Sequence, residues 1–312
     1  MYSVYNLDDY LDIKKPVRDP LQPQNPTYRV LISGPSGSGK TNALCNGLMT
    51  GFFPFERIYV FSKSIEQDKY KLLKKYTDNI TKNYKKLLLD KLGSDNFKAL
   101  PEKELRIITQ VGYYSDDLHK LEDIFNCVLD KEGFFTPQLI KPKGRLTKKQ
   151  VEEYETLLKS DRRIKVDKHD MEVCIDENKH NLIVVDDMLS EKNQNIIEKI
   201  FIRGRHKNIS AMYLTQSSRD VHTIIRKQCD IFIYFRTNSI YELQSISINE
   251  GFDYSFEIFK KIFKEATVDN NFLYIDKTQR ELALKYRRNF DELIIVEEEE
   301  NSIKEKSIKK KT

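Results

Sequence analysis

Glycine is scarce in this chain, with 11 residues among 312, and cysteine is scarcer, with four. Cys45, Cys127, Cys174 and Cys229 are widely separated, form no C-x-x-C pair and have no histidine at metal spacing. That spacing excludes a zinc-ribbon site or a disulfide framework and predicts buried, reduced thiols. No apolar run approaches the roughly 18 residues a helical membrane span needs. The opening Met1-Tyr2-Ser3-Val4 runs into Asp8-Asp9 and does not read as a signal peptide. The expectation is a soluble intracellular protein. No internal repeat is present, so a solenoid is excluded. Charge of one sign is also missing: 53 basic residues against 48 acidic leave a net +5. Such a balance permits contact with nucleic acid without requiring it.

Against this scarcity, three of the glycines fall within eight residues, Gly34-Pro35-Ser36-Gly37-Ser38-Gly39-Lys40-Thr41. A short apolar run, Val30-Leu31-Ile32, precedes them, and Asn42-Ala43-Leu44-Cys45 continues as a helix. Strand, glycine-rich loop and helix are the setting of a phosphate-binding P-loop. Glycine lets the backbone curl with its N–H groups turned inward toward phosphate oxygens, and the helix N-terminus adds partial positive charge there. Lys40 then reaches the β- and γ-phosphates, and the Thr41 hydroxyl holds Mg²⁺. The plain alternative is a glycine-rich turn before an ordinary helix. The expected cofactors are ATP and Mg²⁺, with Gly34 to Asn42 as the binding stretch.

Taken in order, residues 1–27 carry Pro16, Pro20, Pro23 and Pro26 and read as an N-terminal arm, either disordered or strapped onto a neighbouring subunit. A helix is predicted over Lys40 to Met49, a buried strand over Arg57 to Ser62, and a helix over 66–92. Leu105 to Thr109 reads as a strand and Asp116 to Leu129 as an amphipathic helix. Residues 131–180 are proline-bearing and densely charged, with a solvated helix over Gln150 to Lys159, and read as a surface insertion. The scaffold resumes with the stretch Asn181 to Asp187, a helix over about 192–203 and the strand Ile209 to Thr215. A helix over about 218–227, the strand Asp230 to Phe235 and helices over Tyr241 to Ile246 and Tyr254 to Lys264 follow. Phe272 to Ile275 and Leu282 to Tyr286 read as a final strand pair. Such alternation predicts an α/β fold with a mostly parallel central sheet and helices on both faces. The ATPase domain is placed at 28–296 and a charged, disordered tail at 297–312.

Leu182-Ile183-Val184-Val185-Asp186-Asp187 is a central strand ending in two acids. Asp186 suits the Mg²⁺-side carboxylate, and Asp187 suits the group that activates the attacking water. The alternative for Asp187 is a turn cap. Gln216 ends the next strand, where an amide orients water and reports hydrolysis; a strand-end polar residue without a role is the alternative. Arg203, Arg205 and Lys207 enter that strand. They are candidates for an arginine finger acting on an adjacent subunit, for nucleic-acid backbone contact, or for a solvated loop. Arg219 and Arg226 are weaker finger candidates. His206, with no partner at metal spacing, reads as structural or backbone-contacting.

Gly34 to Thr41, Leu182 to Asp187, Arg203-Gly204-Arg205-His206 with Asn208-Ile209-Ser210, and Tyr213-Leu214-Thr215-Gln216 together resemble the genome-packaging ATPases of large DNA viruses, virophages and Polinton-type elements. These are similar to the poxvirus-type packaging ATPases of the FtsK–HerA superfamily of P-loop NTPases. The resemblance covers roughly residues 28–290 and implies a RecA-like ATPase fold. It implies ATP on the P-loop, Mg²⁺ at Thr41 and Asp186, water activation at Asp187 and γ-phosphate sensing at Gln216. It also implies an arginine, Arg205 or Arg203, acting in trans across a homo-oligomeric ring. Many relatives carry glutamate where this chain has Asp187. The implied activity is ATP-driven translocation of double-stranded DNA, gripped by its backbone, into a capsid through vertex or portal proteins. The implied location is the infected host cell, in a viral factory or with the virion. Lys141, Lys143, Arg145, Lys148 and Lys149 are candidate DNA contacts. The rival readings are a P-loop small-molecule or nucleoside kinase and a non-catalytic ATP-binding assembly protein.

Overall fold

Successive side chains of a strand point to opposite faces of its sheet, so a strand buried along its whole length must be covered on both sides. Arg29–Ser33 (β1), Arg57–Ser62 (β2), Asn181–Asp186 (β8), Ile209–Thr215 (β9) and Ile231–Phe235 (β10) are all buried at every position. The computed structural model describes residues 18–92, 110–126, 128–129, 134–135, 164–165, 175–188, 194–251 and 253–294. With Gly112–Ser115 (β3), Phe272–Asp276 (β11), Tyr286–Arg288 (β12) and Glu292–Leu293 (β13), these strands form one nine-stranded sheet, in the order β13-β12-β11-β10-β1-β9-β8-β2-β3. The six strands from β10 to β3 run parallel, and β11, β12 and β13 add an antiparallel edge.

Each face has its own core. On one side Val30, Ile32, Val60, Val184 and Leu214 pack against Lys40–Met49 (α1) and Asp68–Leu92 (α2), through Leu44, Leu48, Tyr70 and Leu73. On the other side Leu31, Phe61, Ile183, Tyr213 and Phe232 meet His119–Asn126 (α3), Gln194–Arg203 (α4), Thr223–Gln228 (α5), Ile240–Asn249 (α6) and Phe256–Ala266 (α7). Among the described residues no helix is long and apolar enough to cross a membrane.

Several elements differ from the sequence expectation. The strand beside β2 is Gly112–Ser115, while the expected strand over 105–109 lies outside the described residues. The helix expected to reach Leu129 stops at Asn126. Val128–Leu129 (β4), from the end of that expected helix, joins the described strands of the region read as a surface insertion, Phe134–Phe135 (β5), Ile164–Lys165 (β6) and Ile175–Asp176 (β7), in a second sheet of order β6-β5-β4-β7. Ile175 there is fully buried in the main core. The expected helix over 150–159, the tail over 297–312, Cys127 and Cys174 lie outside the described residues. Cys45 and Cys229 are buried free thiols. The helix expected at 218–227 divides into a 3-10 turn, Ser218–Asp220, and α5. Leu282–Lys285 is a short helix (α8), and only Tyr286 of that expected strand enters the sheet.

Residues 18–27 lie against the domain. Arg18 donates to the carbonyls of Pro23 and Asn25, and Gln22 donates to that of Gly51. Arg287, fully buried, donates to the carbonyls of Leu21 and Phe290 and stacks on Tyr274 at 4.2 Å from the ring centroid. Its burial lowers the guanidinium pKa, and a ring face offers the buried cation partial compensation.

Gly47 makes a tight joint between α1 and the aromatic rings beside it. A Cβ there would lie 2.7 Å from the Phe53 ring and 3.0 Å from that of Phe290. Gly47→Ala gains about 1 kcal/mol of helix propensity and costs about 1–3 kcal/mol of overpacking. A net destabilisation, seen as a lower urea midpoint with an unchanged slope, is therefore expected.

Candidate active site

Parallel strands bring their carboxyl ends to one edge, and register decides which residues meet there. Ser62 pairs with Asp186, Asp186 with Leu214, Thr215 with Ser33, and Ser33 with Tyr234. The row joins the ends of β2, β8, β9, β1 and β10. The acid strand β8 is one strand removed from β1, with β9 between them, so Gln216 emerges from the strand that separates loop and acids. From β1 the chain leaves over the α1 face, and from β9 over the α5 face. Between two strands whose connections diverge, a crevice opens at the carboxyl end.

That crevice is a cleft of about 260 Å³ lined by Ser36, Gly37, Gly39, Lys40, Thr41, Asp186, Asp187 and Gln216, with Ser64, Gln67 and Lys69. Eight residues expected from the sequence therefore converge. Gly37 and Gly39 have φ of 76° and 105°, a left-handed backbone that glycine adopts without a side-chain clash. Gly34 is used differently: its N–H donates to the Thr215 carbonyl, and a Cβ would lie 2.6 Å from Phe235. Ser38 turns to the other flank, into a cavity it shares with Phe235, Arg236 and Asn270. Pro35 and Asn42 belong to the loop and helix without lining the cleft.

Lys40 donates to the carbonyls of Gly34 and Pro35, at 2.7 and 3.0 Å. Burial lowers its pKa, and the carboxylates of Asp186 and Asp187 draw it back up. Asp186 is 7% exposed and accepts hydrogen bonds from Tyr70, at 2.5 Å, and Ser62, at 3.4 Å. Burial pushes its carboxyl above the ordinary 3.8; the Tyr70 bond opposes that, Asp187 adds to it, and Lys40 and Ser62 oppose it. Asp187 is exposed, with φ of 53°, and its N–H donates to the Leu214 carbonyl. Asp tolerates this left-handed conformation better than most residues. The turn brings its carboxylate to 3.4 Å from the Gln216 amide nitrogen.

The candidate finger arginines are elsewhere. Arg203 ends α4 and Arg205 sits in the 3-10 turn Gly204–Lys207, before β9 begins. The seven-residue length of β9 separates them from the cleft by roughly 20 Å. Arg205 donates to both oxygens of Asp230, at 2.8 and 3.0 Å, and Lys207 lies over the Phe125 ring. Arg203 and His206 are exposed. Arg219, in the turn after β9, is exposed on the cleft's edge of the sheet, and Arg226 donates to Thr223 within α5. The basic cluster at 141–149 lies outside the described residues.

Sequence reasoning missed Ser64, Gln67, Lys69 and the anchor Tyr70. The segment that carries them follows the carboxyl end of a parallel strand, which is the signal that would have found them. It also missed Glu242, 9% exposed, which accepts hydrogen bonds from Ser218 N–H, Ser218 Oγ and Thr237 Oγ1. This carboxylate ties the loop after β9 to the loop after β10.

Strand, glycine-rich loop and helix at the head of a mostly parallel sheet define an α/β protein of the P-loop type. No family model and no curated protein matches the sequence. Among solved structures the chain is similar to the DNA-packaging ATPase B204 of Sulfolobus turreted icosahedral virus, at 16% identity and a TM-score of 0.43, over 80% of this chain and 93% of that one. It is also similar to the genome-packaging NTPase B204 of Sulfolobus turreted icosahedral virus 2 in complex with ATP-gammaS, at 14% identity and a TM-score of 0.44, over 86% of this chain and all of that one. The pCW3 conjugation coupling protein TcpA gives 13% identity and a TM-score of 0.39, over 93% of this chain and 67% of that one.

Asp186→Asn removes a buried charge while keeping an oxygen that accepts from Tyr70. Because the folded pKa of Asp186 is raised, its cost to stability is absent below the unfolded value and complete above the folded one. Asp186→Asn is therefore expected to melt about 2–4 °C above wild type at about pH 7, for a gain near 1 kcal/mol, with the advantage shrinking toward pH 4. Calorimetric melts at the two pH values check the sign.

Proposed function

We propose that this chain is an ATP-hydrolysing motor that drives double-stranded DNA into a viral capsid. One observation carries the hydrolytic part: Lys40 and Thr41 face Asp186, Asp187 and Gln216 across one cleft at a crevice of the sheet. These residues fit a Mg²⁺-nucleoside triphosphate, because Mg²⁺ is held by one or two carboxylates with substrate phosphates and water. Thr41 and Asp186 would hold the ion, which neutralises charge on the phosphates when bound. Lys40 exchanges its loop carbonyls for phosphate oxygens. Asp187 accepts the proton of the attacking water, and Gln216, hydrogen-bonded to Asp187, orients that water. Buried Asp186 is fixed by Tyr70 and Ser62, so little reorganisation accompanies the reaction.

The coupling to DNA, the ring and the capsid vertex or portal proteins rests on the motif resemblance, as does a location in the infected cell. A closed ring uses head-to-tail contacts, which place unlike surfaces of two copies together. Arg203 and Arg205, on the sheet edge opposite the cleft, suit a role on a neighbour's phosphates and are too remote for their own. Arg203 is the stronger finger, since Arg205 is engaged by Asp230. DNA contacts fall on phosphates, because a genome pump must ignore sequence, so binding weakens steeply with salt.

ATP turnover measured with and without long duplex DNA tests this reading. Turnover stimulated by DNA and abolished by Lys40→Ala is expected. Turnover that ignores DNA and needs a small acceptor would establish a kinase instead, and binding without turnover a purely structural use of ATP. Mixing Arg203→Ala subunits with Asp187→Ala subunits should restore part of the lost activity, because some interfaces then pair an intact acid with an intact arginine. No recovery at any ratio would remove Arg203 from that role.

A further inference from the structure

The segment after β2 and the first turn of α2 form a wall of the cleft that the motifs do not account for. Ser64, Gln67 and Lys69 line it together with the loop and the acids. We propose that this wall is the seat of the terminal phosphate and that Lys69 is its cation. The inference rests on reading the cleft as a triphosphate site and adds to it a contact from the same chain.

The wall is built onto the acid. Ser62, at the end of β2, donates to Asp186 and accepts from Ser64 N–H, at 3.1 Å. Gln67 N–H then donates to the Ser64 carbonyl, closing a turn that leads into α2. Tyr70, 1% exposed, drives its hydroxyl beneath the acid. Consecutive helix residues are about 100° apart, so anchoring Tyr70 in the core leaves Lys69 on the rim. The Lys69 carbonyl accepts a hydrogen bond from the Cys45 thiol of α1, at 3.6 Å, which fixes this turn against the helix that begins at Lys40. Lys69 is exposed and makes no ion pair among the described residues.

Charge places the ligand. Lys40 and Lys69 are the cations lining this cleft, and Asp186 and Asp187 are the anions. Lys40 reaches out from the loop, whereas Lys69 enters the cleft from α2, one residue before the Tyr70 that holds Asp186. A triphosphate that starts on the loop and runs toward the acids would bring its third phosphate to Lys69, and a diphosphate would stop short of it. A Lys69 contact therefore separates a triphosphate from a diphosphate without any help from a neighbouring subunit.

The experiment compares Mg²⁺-dependent binding of a non-hydrolysable ATP analogue and of ADP, by calorimetry, to wild type, Lys69→Met and Lys69→Arg. Lys69→Met keeps the aliphatic stem and removes the charge. Losing a charged hydrogen bond predicts about tenfold weaker binding of the analogue, or more, with ADP unchanged. Lys69→Arg should keep the preference for the analogue. Equal weakening for both ligands would make Lys69 a support of α2 and overturn the inference, as would no weakening for either. Wild type that binds neither nucleotide would sink the proposed function, and this contact with it.

Discussion

A carboxylate at the end of a central strand is costly to keep charged, and at Asp186 that cost organises the cleft. The group lies almost out of water, so it needs donors nearby, and they come from the neighbouring strand and the helix that follows it. Tyr70 reaches it only because α2 packs on the same face as α1, and Ser62 only because β2 pairs with β8 in register. The end of β2, the acid and α2 are thus fixed relative to one another by one buried charge. Lys40, with its own pKa lowered by burial, faces the same problem from the other side. An anionic ligand and a cation would relieve both at once, as expected of groups whose best partners come from outside.

The opposite edge of the sheet uses charge for attachment. Arg29, fully buried in β1, donates to the Phe201 carbonyl at the end of α4, while Asp230 accepts from the Arg29 N–H and from Arg205. Burial depresses the Arg29 guanidinium to about 10, helped by the nearby Arg205 and opposed by Asp230 and Cys229. The basic turn before β9 is therefore partly spent on holding the domain together. A sequence motif does not show how its residues are divided between contacts made within the chain and those left exposed.

The parallel core was legible because its strands are buried on both faces and read as continuous apolar runs, from Leu182 to Val185 or Ile231 to Phe235. The loop and the two acids were legible because phosphate chemistry restricts the residues that serve it. Three kinds of feature were not. Gly112–Ser115 is a strand by its place beside β2, and its sequence, glycine followed by two tyrosines, has no such apolar run. Leu282–Lys285 is a short run, mostly apolar, that does not separate strand from helix by its pattern, and its good helix formers turn once as a helix. Tyr70 belongs to the site through Asp186, a partner 116 residues away in sequence. No local spacing encodes such a distance.

The position of β9 has a mechanical consequence. It is hydrogen-bonded along both sides, to β1 and β8, and it ends at Gln216 on one edge of the sheet and begins after the arginine-bearing turn on the other. A strand held on both sides neither bends nor slides independently of the sheet. It acts as a stiff rod seven residues long, with one end in the cleft and the other at the arginine-bearing turn, so a shift at either end moves the sheet with it.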